Sequence, residues 1–143
     1  MLKNNEGTVG GGGAYLQDKF TRLSVSGNKT RMTVEHNIAV DTGGGFQVVS
    51  QAQVFVESGA VLELRNNTAH WGGGVSLENG AMIMATGKLT QMMFVSNTAV
   101  QGGVANSRRW RDSPGHAYSP LASGILTAQA CARECAPVHG EIL

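Results

Sequence analysis

The stretch Leu64-Arg65-Asn66-Asn67-Thr68-Ala69-His70-Trp71-Gly72-Gly73-Gly74-Val75 decides the fold of this chain. An apolar residue stands three places before an asparagine, a glycine run follows, and the chain leaves the glycines on another apolar residue. The same order recurs on both sides. Upstream, Leu2-Lys3-Asn4-Asn5 leads to Gly10-Gly11-Gly12-Gly13-Ala14, and Val34-Glu35-His36-Asn37 leads to Gly43-Gly44-Gly45-Phe46. Downstream, Phe94-Val95-Ser96-Asn97 leads to Gly102-Gly103-Val104. The asparagines at 5, 37, 67 and 97 are separated by steps of 32, 30 and 30 residues. Ser26-Gly27, Ser58-Gly59 and Thr86-Gly87 add a third marker near the middle of each unit. Self-similarity at a fixed period of this size is the mark of a repeat architecture.

Within a unit the apolar residues alternate. Ala52, Val54 and Val56 are interleaved with Gln53, Phe55 and Glu57, and Leu62 and Leu64 flank Glu63. Ala14-Tyr15-Leu16-Gln17, Phe46-Gln47-Val48 and Val75-Ser76-Leu77-Glu78 behave the same way after the glycines. Period two is strand chemistry, and helical spacing is not sustained before Ala105. The reading is three short strands per unit: one after the glycines, one before Ser/Thr-Gly and one ending at the asparagine. Turn formers such as Asn79-Gly80 and Ser58-Gly59 punctuate them.

Strands repeated at a fixed period fit an all-β parallel β-helix of about three to four coils over residues 1–105. Coils stack about 4.8 Å apart in register. Equivalent residues then form ladders, with Leu2/Val34/Leu64/Phe94, Ala14/Phe46/Val75/Val104 and Leu16/Val48/Leu77 facing inward. Stacked asparagine side chains hydrogen-bond from coil to coil, and Asn tolerates a left-handed corner. Glycine allows positive φ and close backbone approach. Asn5, Asn37, Asn67, Asn97, Gly11, Gly44, Gly73 and Gly103 are therefore expected to be structural corner residues.

Composition narrows the class. Glycine supplies 20 of 143 residues, charged residues only 15% and aromatics 6%, while 41% are hydrophobic; this excludes a helix bundle and a disordered segment. A net charge of +1 gives no global field for nucleic acid. No apolar run is long enough for a signal peptide or a bilayer span. Residues 1–105 contain neither proline nor cysteine; Pro114, Pro120, Pro137, Cys131 and Cys135 all come later, which sets the boundary of a non-repeating tail, 106–143.

Phe94-Val95-Ser96-Asn97 resembles the Phe-x-x-Asn repeat of the chlamydial polymorphic outer membrane proteins and related β-helix repeat proteins, and Gly12-Gly13-Ala14 most of their Gly-Gly-Ala-(Ile/Leu/Val) repeat, with Tyr15 in the fourth place. Other units carry Leu or Val for Phe, and Phe46, Val75 or Val104 for Ala, which keeps the apolar character. The resemblance covers residues 2–105. It implies a right-handed parallel β-helix belonging to a large secreted or surface-displayed protein, often an adhesin. The repeat starts at Leu2 with no room for a cap, so the chain also reads as part of something longer.

The tail is expected to be irregular or partly helical over Leu121 to Ala136. Cys131 and Cys135 admit four readings: a metal site with His116 and His139, a redox pair, a disulfide, or two inert thiols. Arg108-Arg109-Trp110-Arg111 is a small basic patch, read as a solvated boundary rather than a nucleic-acid contact.

An enzyme of the polysaccharide lyase or hydrolase kind needs carboxylates, alone or with Arg or Lys, converging on one face. Glu6, Asp18, Glu35, Asp41, Glu57, Glu63 and Glu78 fall at different places in the repeat. The column Lys3/Glu35/Arg65/Val95 reads as a mixed exposed ladder with a Glu35–Arg65 surface pair. His70 and Trp71, before a glycine corner, are candidate glycan contacts, with packed loop residues as the plainer reading. A threonine face for ice is broken by Glu6 and Ile38. Asn28-Lys29-Thr30 and Asn66-Asn67-Thr68 are glycosylation sequons. The expectation is a non-catalytic extracellular or cell-surface module for adhesion or scaffolding, with no cofactor or metal and with a glycan or protein partner. The alternative is a fragment of a carbohydrate-active β-helix or a glycan-binding protein.

Overall fold

The structure, a computed structural model, describes residues 1–101 together with the backbone of residues 105–107 and 124–127. Every regular element among the described residues is a strand. In chain order these are β1 (Leu2–Lys3), β2 (Glu6–Gly7), β3 (Ala14–Gln17), β4 (Arg22–Ser26), β5 (Arg31–Glu35), β6 (Ile38–Ala39), β7 (Phe46–Val49) and β8 (Gln53–Glu57). They continue as β9 (Val61–Arg65), β10 (Thr68–Trp71), β11 (Val75–Leu77), β12 (Met82–Thr86), β13 (Gln91–Val95), β14 (Thr98–Gln101), β15 (Ala105–Ser107) and β16 (Gly124–Thr127).

Each strand pairs with the strand four places on, so the chain winds into a parallel β-solenoid of about three turns. Sheet A contains β1, β5, β9 and β13; sheet B contains β2, β6, β10 and β14. Sheet C contains β3, β7, β11 and β15; sheet D contains β4, β8 and β12. A coil therefore has four sides, where the sequence pattern suggested three. The additional side is sheet B, lying between the asparagine and the glycines. In the first two coils its strands are only two residues long, too short for alternation to register. The small column Ala39/Ala69/Ala99 faces inward there, with Ala39 and Ala69 buried.

The interior is the set of ladders the alternation defined. Leu2 pairs with Val34, Val34 with Leu64 and Leu64 with Phe94. Ala14, Phe46 and Val75 are in register, as are Leu16, Val48 and Leu77. One ladder shifts at its end: Val75 pairs with Ala105 rather than Val104, which lies outside the described residues. Val34, Phe46, Val48, Val54, Val56, Leu62, Leu64 and Val75 are fully buried. Each fully buried Val, Leu or Phe side chain contributes about 1.5–3 kcal/mol relative to exposure.

The asparagine column is a continuous hydrogen-bond ladder. The Asn37 backbone N–H and Nδ2 both donate to Asn67 Oδ1, at 3.0 and 2.9 Å. Asn67 donates to Asn97 Oδ1 in the same way, and Asn5 to Asn37 Oδ1. Each Nδ2 also reaches a carbonyl of the preceding coil: Leu2 for Asn37, Val34 for Asn67 and Leu64 for Asn97. The left-handed residue of this corner is the one before the ladder asparagine. Asn4, His36, Asn66 and Ser96 have φ of 57°, 54°, 52° and 51°, while the ladder residues do not. The corner turns on the preceding residue so that the next carboxamide can aim along the solenoid axis.

This ladder also explains where repeat length varies. From the first residue of the sheet A strand to the asparagine the count is constant: Arg31 to Asn37, Val61 to Asn67 and Gln91 to Asn97. The two extra residues of the 32-residue step lie at two other corners, one between β3 and β4 (Gln17 to Arg22 against Val49 to Gln53) and one between β4 and β5 (Ser26 to Arg31 against Glu57 to Val61). A residue inserted at the asparagine corner would break hydrogen bonds in both neighbouring coils.

At the glycine corner the columns are Gly11/Gly43/Gly72 and Gly12/Gly44/Gly73, so Gly11 is one column away from Gly44 and Gly73. Only the first column has positive φ, at 63°, 64° and 59°. At Gly44 the constraint is space, since a Cβ would lie 2.5 Å from the Thr68 carbonyl oxygen. Gly103 lies outside the described residues.

Within the tail, expected to be irregular or partly helical over Leu121 to Ala136, residues Gly124–Thr127 instead form β16, antiparallel to β13. The free edge of sheet A carries unpaired amides and carbonyls, and a strand satisfies them where a helix cannot. Cys131, Cys135, His116, His139 and Arg108-Arg109-Trp110-Arg111 lie outside the described residues.

Candidate functional site

Residues of sheet A that alternate with the core ladder stand on its outer face: Lys3, then Arg31, Thr33 and Glu35, then Val61, Glu63 and Arg65. Register places Lys3, Glu35 and Arg65 in one column and Thr33 and Glu63 in the next. Fold topology thereby gathers two carboxylates that sit 28 residues apart in the chain. The Lys3 Nζ lies 3.0 Å from Glu35, and Arg65 closes on the same carboxylate through Nε and Nη2. Arg31 Nη1 is 3.0 Å from Glu63, and Arg65 Nη1 reaches Glu63 at 3.9 Å. His36 Nδ1 stands 3.9 Å from Glu35.

This corrects two expectations. Glu35 is not exposed: it retains 3% of its accessible surface, beneath cations that are themselves about half exposed. The acids are not all scattered either, because Glu35 and Glu63 meet at Arg65. The sequence signal was the Lys3/Glu35/Arg65 column; the diagonal to Glu63 requires the register between β5 and β9. Lys3 holds the Glu35 carboxyl below the ordinary carboxylate range, against the burial that pushes it up, and Arg65 adds to the lowering. Glu35 is consequently a fixed anion at neutral pH. General-acid chemistry requires the opposite shift. With Lys3, Arg31 and Arg65 against two carboxylates, the cluster balances most of its own charge.

The glycan candidates lie at the far end of β10. His70 and Trp71 are half-buried, their rings 5.6 Å apart and edge-on at 70°. Trp71 belongs to sheet B, in register with Thr42 and Gln101, rather than to a loop. The neighbouring outer column is Glu6/Ile38/Thr68/Thr98, all exposed, so a threonine row is indeed interrupted. Val40 and Val100 stand exposed close by.

A shallow concavity of about 640 Å³ lies at the corner between sheets C and D, lined by Asp18, Lys19, Phe20, Ser50, Gln51 and Asn79. The sequence pattern did not mark it. The first coil has one more residue in this corner than the second, between Gln17 and Arg22 against Val49 and Gln53. Phe20 is pushed into solvent, with Lys19 Nζ 4.8 Å from its ring centre.

No three His, Cys, Asp or Glu residues form a metal-holding group among the described residues. No helix among them is long and apolar enough to cross a membrane. Comparison with protein families, with curated proteins and with solved structures gives no match.

Proposed function

We propose that this chain is a non-catalytic β-solenoid module acting in adhesion or as a scaffold at the cell surface or outside the cell. It would belong to a repeat class like that of the polymorphic outer membrane proteins. The observation that carries this reading is the division of labour between columns. Inward and corner columns repeat from coil to coil, so their chemistry is spent on holding the solenoid. The outer columns do not repeat, and what they present is a broad surface rather than a reaction centre. Such surfaces suit a glycan or protein receptor, with His70 and Trp71 the contacts favoured for a sugar ring.

A polysaccharide-active role has one observation in its favour, the meeting of Glu35 and Glu63 with Lys3, Arg31 and Arg65 on one face. Against it stands the pairing of both carboxylates with cations, with Glu35 held as a fixed anion beneath Lys3 and Arg65. A glycan array followed by incubation of any bound polysaccharide separates the two. Binding without new reducing or unsaturated ends supports the module reading. Release of product, lost in Glu35→Gln or Glu63→Gln, overturns it.

A further inference from the structure

The corners between sheets C and D are not alike from coil to coil. In the second and third coils each is a four-residue turn, closed by the Ala52 amide donating to the Val49 carbonyl at 3.1 Å and by the Ala81 amide donating to the Glu78 carbonyl at 3.2 Å. The central pairs are Ser50-Gln51, with φ of 54° and 67°, and Asn79-Gly80, with φ of 52° and 76°. Two consecutive left-handed residues are the pattern of the type I′ turn, whose favoured sequence is Asn-Gly. The third coil has that sequence. The second holds serine and glutamine in the same backbone, against their preference, and so sets a hydroxyl and a carboxamide where Asn-Gly would turn with less strain. Residues held in this way gather at ligand sites.

The first coil departs from this pattern. Its corner is one residue longer, the Thr21 amide closes it on the Asp18 carbonyl at 2.9 Å, and its left-handed residue is Asp18, at φ 78°, rather than the central pair Lys19-Phe20. The concavity of about 640 Å³ lies where these unlike corners meet, so its shape comes from a mismatch inside the chain. Ligand sites occupy roughly 300–1,000 Å³. One aromatic ring, Phe20, and five polar side chains, those of Asp18, Lys19, Ser50, Gln51 and Asn79, line it. Among the described residues the Asp18, Ser50, Gln51 and Asn79 side chains have no hydrogen-bond or ion-pair partner, and Lys19 meets only the Phe20 ring. Arg22, which follows the corner, is engaged elsewhere: its Nη2 sits 2.7 Å from Glu57 and its guanidinium lies 3.9 Å over the Phe55 ring.

We propose that this corner binds a neutral glycan, with one sugar ring stacked on Phe20 and its hydroxyls hydrogen-bonded to Asp18, Ser50, Gln51 and Asn79. A pyranose presents an apolar face of C–H groups and a rim of hydroxyls that both donate and accept. The lining answers both. Phe20 offers an exposed ring, the carboxylate accepts, and the two carboxamides and the serine hydroxyl donate and accept. One carboxylate and one ammonium group cancel, which favours an uncharged sugar over a sialylated or sulfated one. A shallow, open site suits a terminal sugar or a short run of them. The inference rests on reading the chain as a surface module with a glycan receptor, and it adds a contact region at a different corner from His70 and Trp71.

An array of neutral oligosaccharides with their sialylated and sulfated counterparts, probed with the full 143-residue chain, is expected to retain the neutral ones. Titrating the isotope-labelled chain with the neutral oligosaccharide held most strongly is expected to shift the amide resonances of Lys19, Phe20, Ser50 and Gln51. Phe20→Ala, at a side chain 88% exposed, is expected to keep the fold. It should raise the Kd read from the Ser50 and Gln51 resonances by about tenfold or more. Gln51→Gly removes a hydrogen-bonding group and relieves the left-handed backbone, so it is expected to weaken the same titration while raising the unfolding midpoint. Shifts confined to the surroundings of His70 and Trp71 would overturn the proposal and leave the module reading standing. Retention of no glycan, a preference for the charged counterparts, or a titration that neither variant weakens would overturn it as well. Release of product from the bound oligosaccharide is the separate outcome that strikes the module reading itself.

Discussion

The first and second coils are built from the same columns but occupy different surroundings. Ala14, Leu23 and Met32 are only partly buried, whereas their partners Phe46, Val54 and Leu62 are fully buried. Asn5 is exposed and donates to one neighbour, whereas Asn37 is completely buried and bonded on both sides. The difference shows that a residue in this fold is stabilised by the coils above and below it more than by its own coil. Repeat stability is a sum over neighbours, and an end coil has one neighbour where a middle coil has two.

Truncating core residues should give the largest contrast. Phe46→Ala opens a void in the middle coil and is expected to cost about 3–5 kcal/mol, while Leu23→Ala at the open end should cost less than half as much. Urea unfolding midpoints of the two variants measure this, and equal losses would break the comparison. Next comes the ladder. Asn67→Ala orphans the buried Asn37 N–H, at a cost of about 1–3 kcal/mol, and removes one acceptor from Asn37 Nδ2 and the side-chain donor to the Val34 carbonyl, while the backbone N–H of residue 67 still reaches Asn97 Oδ1. Asn5→Ala, at the solvated end, should fall near or below about 1 kcal/mol.

A third contrast is pH-dependent. The Glu35 carboxyl is held below its ordinary range by Lys3, with Arg65 contributing, so its folded value lies under its unfolded one. Its stabilisation is therefore present above the ordinary glutamate value of about 4.3 and disappears as pH falls through the folded value. Glu35→Gln should unfold at lower urea than the parent chain at pH 7, and the gap should close on acidification below that range. A gap that persists at acid pH would show that packing rather than charge sets the role of Glu35. The smallest effect belongs to the exposed pair at the open end. Arg22→Ala, which removes the contacts to Glu57 and Phe55, should change stability by no more than about 1 kcal/mol, with strong salt sensitivity.

Much of this was legible in the sequence because a solenoid makes neighbours out of residues one period apart. The inward ladders through Val34, Phe46 and Val48 follow from alternation and period alone, and so does the stacking of Asn37 on Asn67. Sheet B escaped because Glu6–Gly7 and Ile38–Ala39 are too short to show alternation. The convergence of Glu35 and Glu63 escaped because it runs diagonally between columns, where the register of β5 against β9 and the reach of Arg65 decide the contact. β16 escaped for a related reason: Leu121 to Ala136 has helix-compatible composition, while the unpaired edge that recruits Gly124–Thr127 belongs to β13.

The sequence by itself determined the coil: its period, its inward columns, and corners made of asparagine and glycine. These are local choices repeated, and repetition makes them readable. Only the tertiary structure decided the number of sides, which residue of each corner turns left-handed, and which outer charges meet. It also decided that Glu35 would be buried. Those outcomes depend on distances across coils and corners, which side-chain reach and hydrogen-bond register fix once the strands are in place.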